Sequence, residues 1–133
     1  MSQSYQYLKT ADGSHTLINT EIDEMYHSKF GAYKESKHIY IKEGFLSVQK
    51  PKLVILEVGF GTGLNAVLTL EHMRENMDVT YLTLEPFPLE RAVWSTLNYV
   101  DQLDRPESFL KIHEAKWHVM NQILPNFELL KMQ

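Results

Sequence analysis

Apolar positions in this chain change their period more than once, and the changes mark its elements. Leu53, Val54, Ile55, Leu56 and Val58 form an almost continuous apolar run, interrupted only by Glu57. A run of this kind predicts a buried strand of a parallel sheet. It stops at Gly59, Gly61 and Gly63, after which Leu64, Val67, Leu68 and Met73 return at helical spacing, predicting a crossover helix from Leu64 to Asn76. Asp78 to Glu85 alternates and is rich in β-formers, so it reads as a second parallel strand. Leu89, Val93, Leu97 and Val100 then recur at helical spacing after Pro86 and Pro88, which predicts an amphipathic helix with Trp94 packed near it. Strand, glycine turn, helix and strand together form the start of a nucleotide-binding βαβ unit.

The flanks are shorter in period. Residues 5–20 alternate around Asp12-Gly13-Ser14, a turn signal that predicts a β-hairpin ahead of the main fold. Residues 32–48 carry Ile39, Ile41 and Phe45 among charged residues and read as a helix that ends near Gly44 and covers one sheet edge. Pro51 breaks the chain before the apolar run. Towards the C-terminus, Glu107 to Glu114 predicts a short helix with Phe109, Leu110 and Ile112 inward. Trp117 to Leu124 and Phe127 to Met132 predict two strands joined at Pro125-Asn126. The whole is one domain: residues 1–50 an N-terminal extension, residues 51–133 a cofactor-binding βαβ core.

Composition narrows the class. The 133 residues are 44% hydrophobic and 23% charged, as expected of an ordinary globular domain. A net charge of −4 and the lack of any Lys/Arg run argue against tight nucleic-acid binding by this chain alone. The absence of cysteine excludes disulfides, thiolate catalysis and Cys-ligated metals. The polar start, Met1 to Tyr5, is no signal segment, and no apolar run reaches membrane-spanning length. The cytoplasm is the expected location.

The chemistry centres on Gly59-Phe60-Gly61-Thr62-Gly63. Glu57 stands two residues before the first glycine, and Glu85, ending the next strand, lies 22 residues past Gly63. That is where a carboxylate accepts both ribose hydroxyls of an adenosine cofactor. The dinucleotide fingerprint puts its third glycine one residue later, and no Gly-Lys-Ser/Thr follows to make a P-loop. The pattern suits S-adenosylmethionine, with Glu57 near its ammonium and helix-start N–H groups near its carboxylate. Phe60, Thr62, Leu64 and Asn65 shape the loop, and Pro86 lies beside the adenine. Upstream, Tyr26, His27, Glu35 and Ser36 are candidates for the substrate-side wall. His27 is a candidate base, although a lone histidine more often serves structure. No metal site is expected, because no spaced His/Asp/Glu set accompanies it.

Glu57-Val58-Gly59-Phe60-Gly61-Thr62-Gly63-Leu64-Asn65, with Glu85-Pro86-Phe87-Pro88-Leu89 after it, resembles the tRNA 5-methylaminomethyl-2-thiouridine methyltransferases of the MnmC/MnmD type. Asp12-Gly13-Ser14, Tyr26-His27-Ser28, Gly31-Ala32 and Glu35-Ser36 also look like that family. The resemblance implies a class I, Rossmann-like methyltransferase fold. It further implies methyl transfer from S-adenosylmethionine to the aminomethyl group of the tRNA wobble uridine. Some relatives fuse this domain to an FAD-dependent oxidoreductase, and nothing here corresponds to that part. The family continues past the strand matching Phe127 to Met132 with an acidic residue near the adenine. A D-[GA]-F-[AS]-P loop serving the substrate amine follows. The sequence stops at Gln133, so no catalytic residue is assigned. The expectation is a fragment of a longer gene product with a sheet incomplete at its C-terminal end.

Three functions stay open at this point. One is a tRNA methyltransferase to which this chain supplies the cofactor half. Another is a non-catalytic cofactor-binding module, with a homodimer through the open sheet edge as its expected assembly. The last is an NAD(P)-dependent oxidoreductase.

Overall fold

A computed structural model describes residues 4–133, so the start of the polar N-terminal segment, Met1 to Gln3, lies outside the described residues. The N-terminal extension opens with a hairpin of β1 (Tyr5–Lys9) and β2 (His15–Asn19), with a third short strand, β3 (Glu24–Met25), on β2. The turn falls on Asp12-Gly13, as expected: Asp12 Oδ1 accepts from the Ser14 amide at 3.0 Å and from Ser14 Oγ at 2.6 Å. The other oxygen of that carboxylate accepts the Lys34 amide at 2.8 Å. The hairpin turn thereby satisfies a free N–H in the first turn of α1 (Ala32–Ser36).

The α1 helix continues through a π-helical stretch, Lys37–Gly44, and a 3₁₀ turn, Phe45–Ser47. The predicted helix is therefore present, with a widened middle. Ile41 and Phe45 are buried, whereas Ile39 is exposed. The π-helical stretch packs against α2 (Leu64–Glu71) and faces the sheet edge across a cavity instead of closing over it.

The main sheet has the order β4-β5-β7-β6. β4 (Lys52–Val58), β5 (Asp78–Leu84) and β7 (Phe127–Met132) run parallel, and β6 (Met120–Leu124) is antiparallel on the far edge. Its register aligns Val58 with Leu84 and Leu84 with Met132. The loops that follow β4 and β5 thus emerge side by side at the carboxyl ends of the parallel strands, where such sheets bind ligands.

Several sequence expectations need correction. β4 is parallel to β5 but stands at the sheet edge, with Val54, Leu56 and Val58 at 72%, 61% and 80% exposure. An apolar run reports strand type and not strand order. α2 stops at Glu71, short of Asn76, where His72 Nδ1 bonds the Leu68 carbonyl at 2.8 Å. The helix expected over residues 89–100 shrinks to α3 (Arg91–Trp94) and a separate 3₁₀ segment, Asn98–Gln102. Leu97 adopts an extended ψ of 141°, which turns Trp94, Leu97 and Tyr99 into the core and leaves Val100 outside. α4 (Pro106–Glu114) begins with proline at its first turn, and its inward residues are Phe109, Ile112 and His113, with Leu110 exposed. The Trp117 end of the predicted strand makes only an isolated bridge to Lys131.

Candidate functional site

The glycine loop is built by its neighbours. Gly59 donates to the Leu84 carbonyl at 2.7 Å, tying the loop's start to the end of β5. Gly63, the residue before α2, has φ +74°. A Cβ there would stand 2.8 Å from His113 Nε2 and 2.9 Å from Phe60 Cζ, so both conformation and space demand glycine. At Gly61 (φ +53°) a Cβ would meet the Tyr26 ring at 3.1 Å. The N-terminal extension therefore lies directly on the loop.

Thr62, in the middle of the loop, is gripped from two sides. Its hydroxyl pairs with His27 Nε2 at 3.0 Å, and its carbonyl accepts from His113 Nε2 at 2.8 Å. Burial holds both histidines neutral, at about 4; for His113 the Thr62 carbonyl opposes and the nearby Lys131 cation reinforces the effect. His113 also stacks on Trp94 with centroids 4.5 Å apart. Phe60 points into the core with Trp117 and His113 at its edges. His27 and Phe60 thus anchor the loop, and His27 has its ring nitrogen committed to Thr62.

The two acidic residues flank the loop in different ways. Glu85, 8% exposed, accepts the Gly61 amide on one oxygen at 2.8 Å and the Phe87 amide on the other at 2.9 Å. It fixes the loop and the Pro86-Phe87 turn, and each oxygen keeps a second lone pair for a hydroxyl. Glu57 aligns with Thr83 across the β4–β5 ladder, and Thr83 Oγ1 donates to it at 2.8 Å. Burial drives its carboxyl up to about 7, opposed by hydrogen bonds from Thr83, Tyr81 and Asn65 and reinforced by the charge of Glu85.

A cavity of about 740 Å³ lies between the loop, β4 and the π-helical stretch. It brings together Glu57, Gly59, Phe60, Gly61, Thr62, Leu64 and Asn65 with Tyr26, His27 and Glu35. Gly63, Glu85, Pro86 and Ser36 are not on its wall. Ser36 is fully buried, which removes it from the expected substrate side. Glu85 instead lines a neighbouring pocket of about 230 Å³ with Asn19, Met25 and Phe87, and Pro86 is exposed beside it. Tyr26 borders both spaces. Its hydroxyl is pushed up by burial, by its hydrogen bond to Tyr5 and by the charges of Tyr5 and Glu85. Among the described residues no cluster of His, Asp or Glu is spaced to hold a metal ion.

Sequence reasoning missed Tyr81, Thr83 and His113. The first two lie two residues apart on β5, so strand alternation puts them on one face, and a register through Glu57 would have found them. His113 follows Phe109 by one helical turn and carried no other signal.

No protein-family model matches the chain. Among curated proteins it is 33% identical to the tRNA 5-methylaminomethyl-2-thiouridine biosynthesis bifunctional protein MnmC of Pseudoalteromonas atlantica, over 62% of this chain and 14% of that one. The same protein of Idiomarina loihiensis is 32% identical over 74% and 18% of the two chains. That of Hydrogenovibrio crunogenus is 28% identical over 75% and 17%. The matched region is thus under a fifth of these relatives' length. Among solved structures, MNMC2 from Aquifex aeolicus superposes with a TM-score of 0.75 at 24% identity, over 99% of this chain and 43% of that one. The fold is methyltransferase-like, as the sequence pattern predicts.

Proposed function

We propose that this chain, a relative of the MnmC-type methyltransferase domain, binds S-adenosylmethionine and forms the cofactor side of a site that methylates the aminomethyl group of a tRNA wobble uridine. The observation that carries the cofactor reading is the pair of carboxylates flanking one glycine loop. Glu57 faces the large cavity, and Glu85 faces the smaller pocket beyond Tyr26. A ligand with a cationic amino-acid end and a ribose end matches that pair. The buried, unpartnered Oδ1 of Asn65 supports the fit, because it offers an acceptor next to Glu57.

Bound S-adenosylmethionine would supply a methyl carbon already activated by its sulfonium. The residues of this chain then hold the cofactor, fix the loop and keep water from part of the site. Glu85 can accept ribose hydroxyls on its remaining lone pairs, a charge-assisted contact. Thr62, held by His27 and His113, keeps the loop rigid, as alignment of an in-line displacement requires. The nucleophilic amine must arrive neutral and later lose a proton. We assign no residue of this chain to that proton, since His27 is engaged with Thr62. The tRNA substrate and a cytoplasmic location belong to this proposal; the structure adds that no helix among the described residues is long and apolar enough to cross a membrane.

The exposed β4 edge favours a second reading, a cofactor-binding module that pairs through that edge, since an uncovered apolar edge strand invites pairing. Light scattering separates the two: a dimer supports edge pairing, and a monomer removes it. An NAD(P)-dependent reaction is the remaining reading. Methylation of undermodified tRNA with labelled S-adenosylmethionine tests the main proposal; incorporation into the wobble nucleoside that disappears in Glu85→Ala supports it. Transfer that survives this substitution undiminished would overturn the role given to Glu85.

A further inference from the structure

Glu57 is a buried acid held only by neutral groups. Thr83, Tyr81 and Asn65 supply its side-chain hydrogen bonds. The one ion pair among the described residues joins Arg91 to Glu114, so no lysine or arginine neutralises Glu57. The charged group that acts on it is Glu85, which has the same sign. Beside it, Asn65 Oδ1 is buried without a hydrogen-bond partner, and both residues line the large cavity. A buried acceptor with no donor is costly, and two converging acceptors form a seat for a cationic N–H group.

We propose that Glu57 and Asn65 form a proton-exchanging cation seat: an α-ammonium entering it displaces a proton from the Glu57 carboxyl to solvent, so that cofactor binding releases protons and tightens as pH rises. The inference rests on the S-adenosylmethionine reading above and deepens it. Desolvation keeps the carboxyl protonated near neutrality, at about 7, and an adjacent positive charge restores the ionised form. The balance is simple: the O–H bond of Glu57 breaks, its proton goes to solvent, and the carboxylate then accepts an ammonium N–H. Asn65 Oδ1 accepts a second N–H.

The other titratable groups around this seat do not imitate the effect. His27, from the N-terminal extension, is held neutral at about 4. Tyr26 and Tyr81 are pushed upward, mainly by burial. Glu35 and Tyr40, on the helix across the cavity, make no hydrogen bond to Glu57. Glu85, past the end of β5, can only hold the proton on Glu57 more firmly. The ligand's own ammonium could only take up protons on binding, the opposite sign.

The test is calorimetric titration with S-adenosylhomocysteine, which carries the same amino-acid end, in buffers of differing ionisation enthalpy. At pH 7 the expected release is about half a proton per ligand, falling towards zero by pH 8.5. Apparent affinity should tighten about tenfold from pH 6 to pH 8, as linkage to one group titrating near 7 requires. Glu57→Gln should bind more weakly and release none. Thr83→Val keeps the carboxylate but removes a donor, so its release profile should move to higher pH. Binding with a buffer-independent enthalpy at pH 7 would overturn the proton-linked seat while leaving the cofactor reading intact. Release that persists in Glu57→Gln would overturn it as well. No binding by the folded wild-type protein would overturn the cofactor reading itself.

Discussion

Replacing Glu57 with glutamine should stabilise the ligand-free protein at alkaline pH while weakening its binding of cofactor. The side chain is half-buried and its carboxyl titrates at about 7 against a reference of 4.5. A raised acid pKa means the fold prefers the protonated form. Below about pH 4.5 both folded and unfolded chains carry the proton, and Glu57 contributes nothing to the pH dependence. As pH rises from 4.5 through 7, the unfolded chain ionises freely and the folded one resists, so stability is lost and stays lost above 7. At ~1.4 kcal/mol per pH unit the full displacement corresponds to ~3 kcal/mol; discounted for partial exposure, the loss is about 2 kcal/mol. Glutamine mimics the protonated acid, accepts from Thr83 and cannot ionise. Glu57→Gln should therefore exceed the wild type by about 2 kcal/mol at pH 8, with the difference vanishing near pH 4.5. Urea denaturation followed by tryptophan fluorescence reads this directly, since the linear extrapolation gives both free energies on one scale. Titration of His27 and His113 is common to both proteins and cancels in the difference. A variant less stable than wild type at pH 8, or a difference that does not change with pH, would refute the buried, cation-free description of Glu57.

Three further outcomes follow from the same geometry. His27 and His113 titrate at about 4 in the fold against 6.5 outside it, so the unfolded chain takes up protons first and stability should fall as pH drops from 6.5 towards 4; each contributes roughly 2–3 kcal/mol to the change, and the opposing Glu57 contribution in the same window makes the drop steeper in Glu57→Gln. Gly63→Ala should destabilise by about 2–3 kcal/mol, combining a positive φ with the clash on His113 and Phe60, and a thermal midpoint unchanged from wild type would contradict this. Glu85→Ala strands the Gly61 and Phe87 amides, so it should weaken binding of adenosine cofactors by ~1–3 kcal/mol, measured by calorimetry against S-adenosylhomocysteine.

The elements that position the site were largely legible, because their signals are local. Leu53 to Val58, the spaced glycines and the alternation of residues 78–84 each identify an element without reference to the rest of the chain. The edge position of β4 was not legible: Val54, Leu56 and Val58 look like core residues whether or not a further strand covers them. The helix over residues 89–100 failed for a related reason, since Leu89, Val93, Leu97 and Val100 fit a helical face while tertiary packing of Trp94, Leu97 and Tyr99 selects a broken path. At the site, the paired acids and the loop came from spacing alone. Their partners did not, because Thr83 reaches Glu57 only through sheet register and His113 reaches Thr62 only through the packing of α4 on α2. Glu85 was foreseen as a ribose acceptor; the structure adds that it first holds the Gly61 and Phe87 amides.

The central claim is that this glycine loop and its two carboxylates recognise S-adenosylmethionine. Calorimetric titration of the protein with S-adenosylmethionine, S-adenosylhomocysteine and NAD tests it most directly. Saturable one-to-one binding of the first two, with no response to NAD, is the predicted result; tight NAD binding without a response to S-adenosylhomocysteine would contradict it.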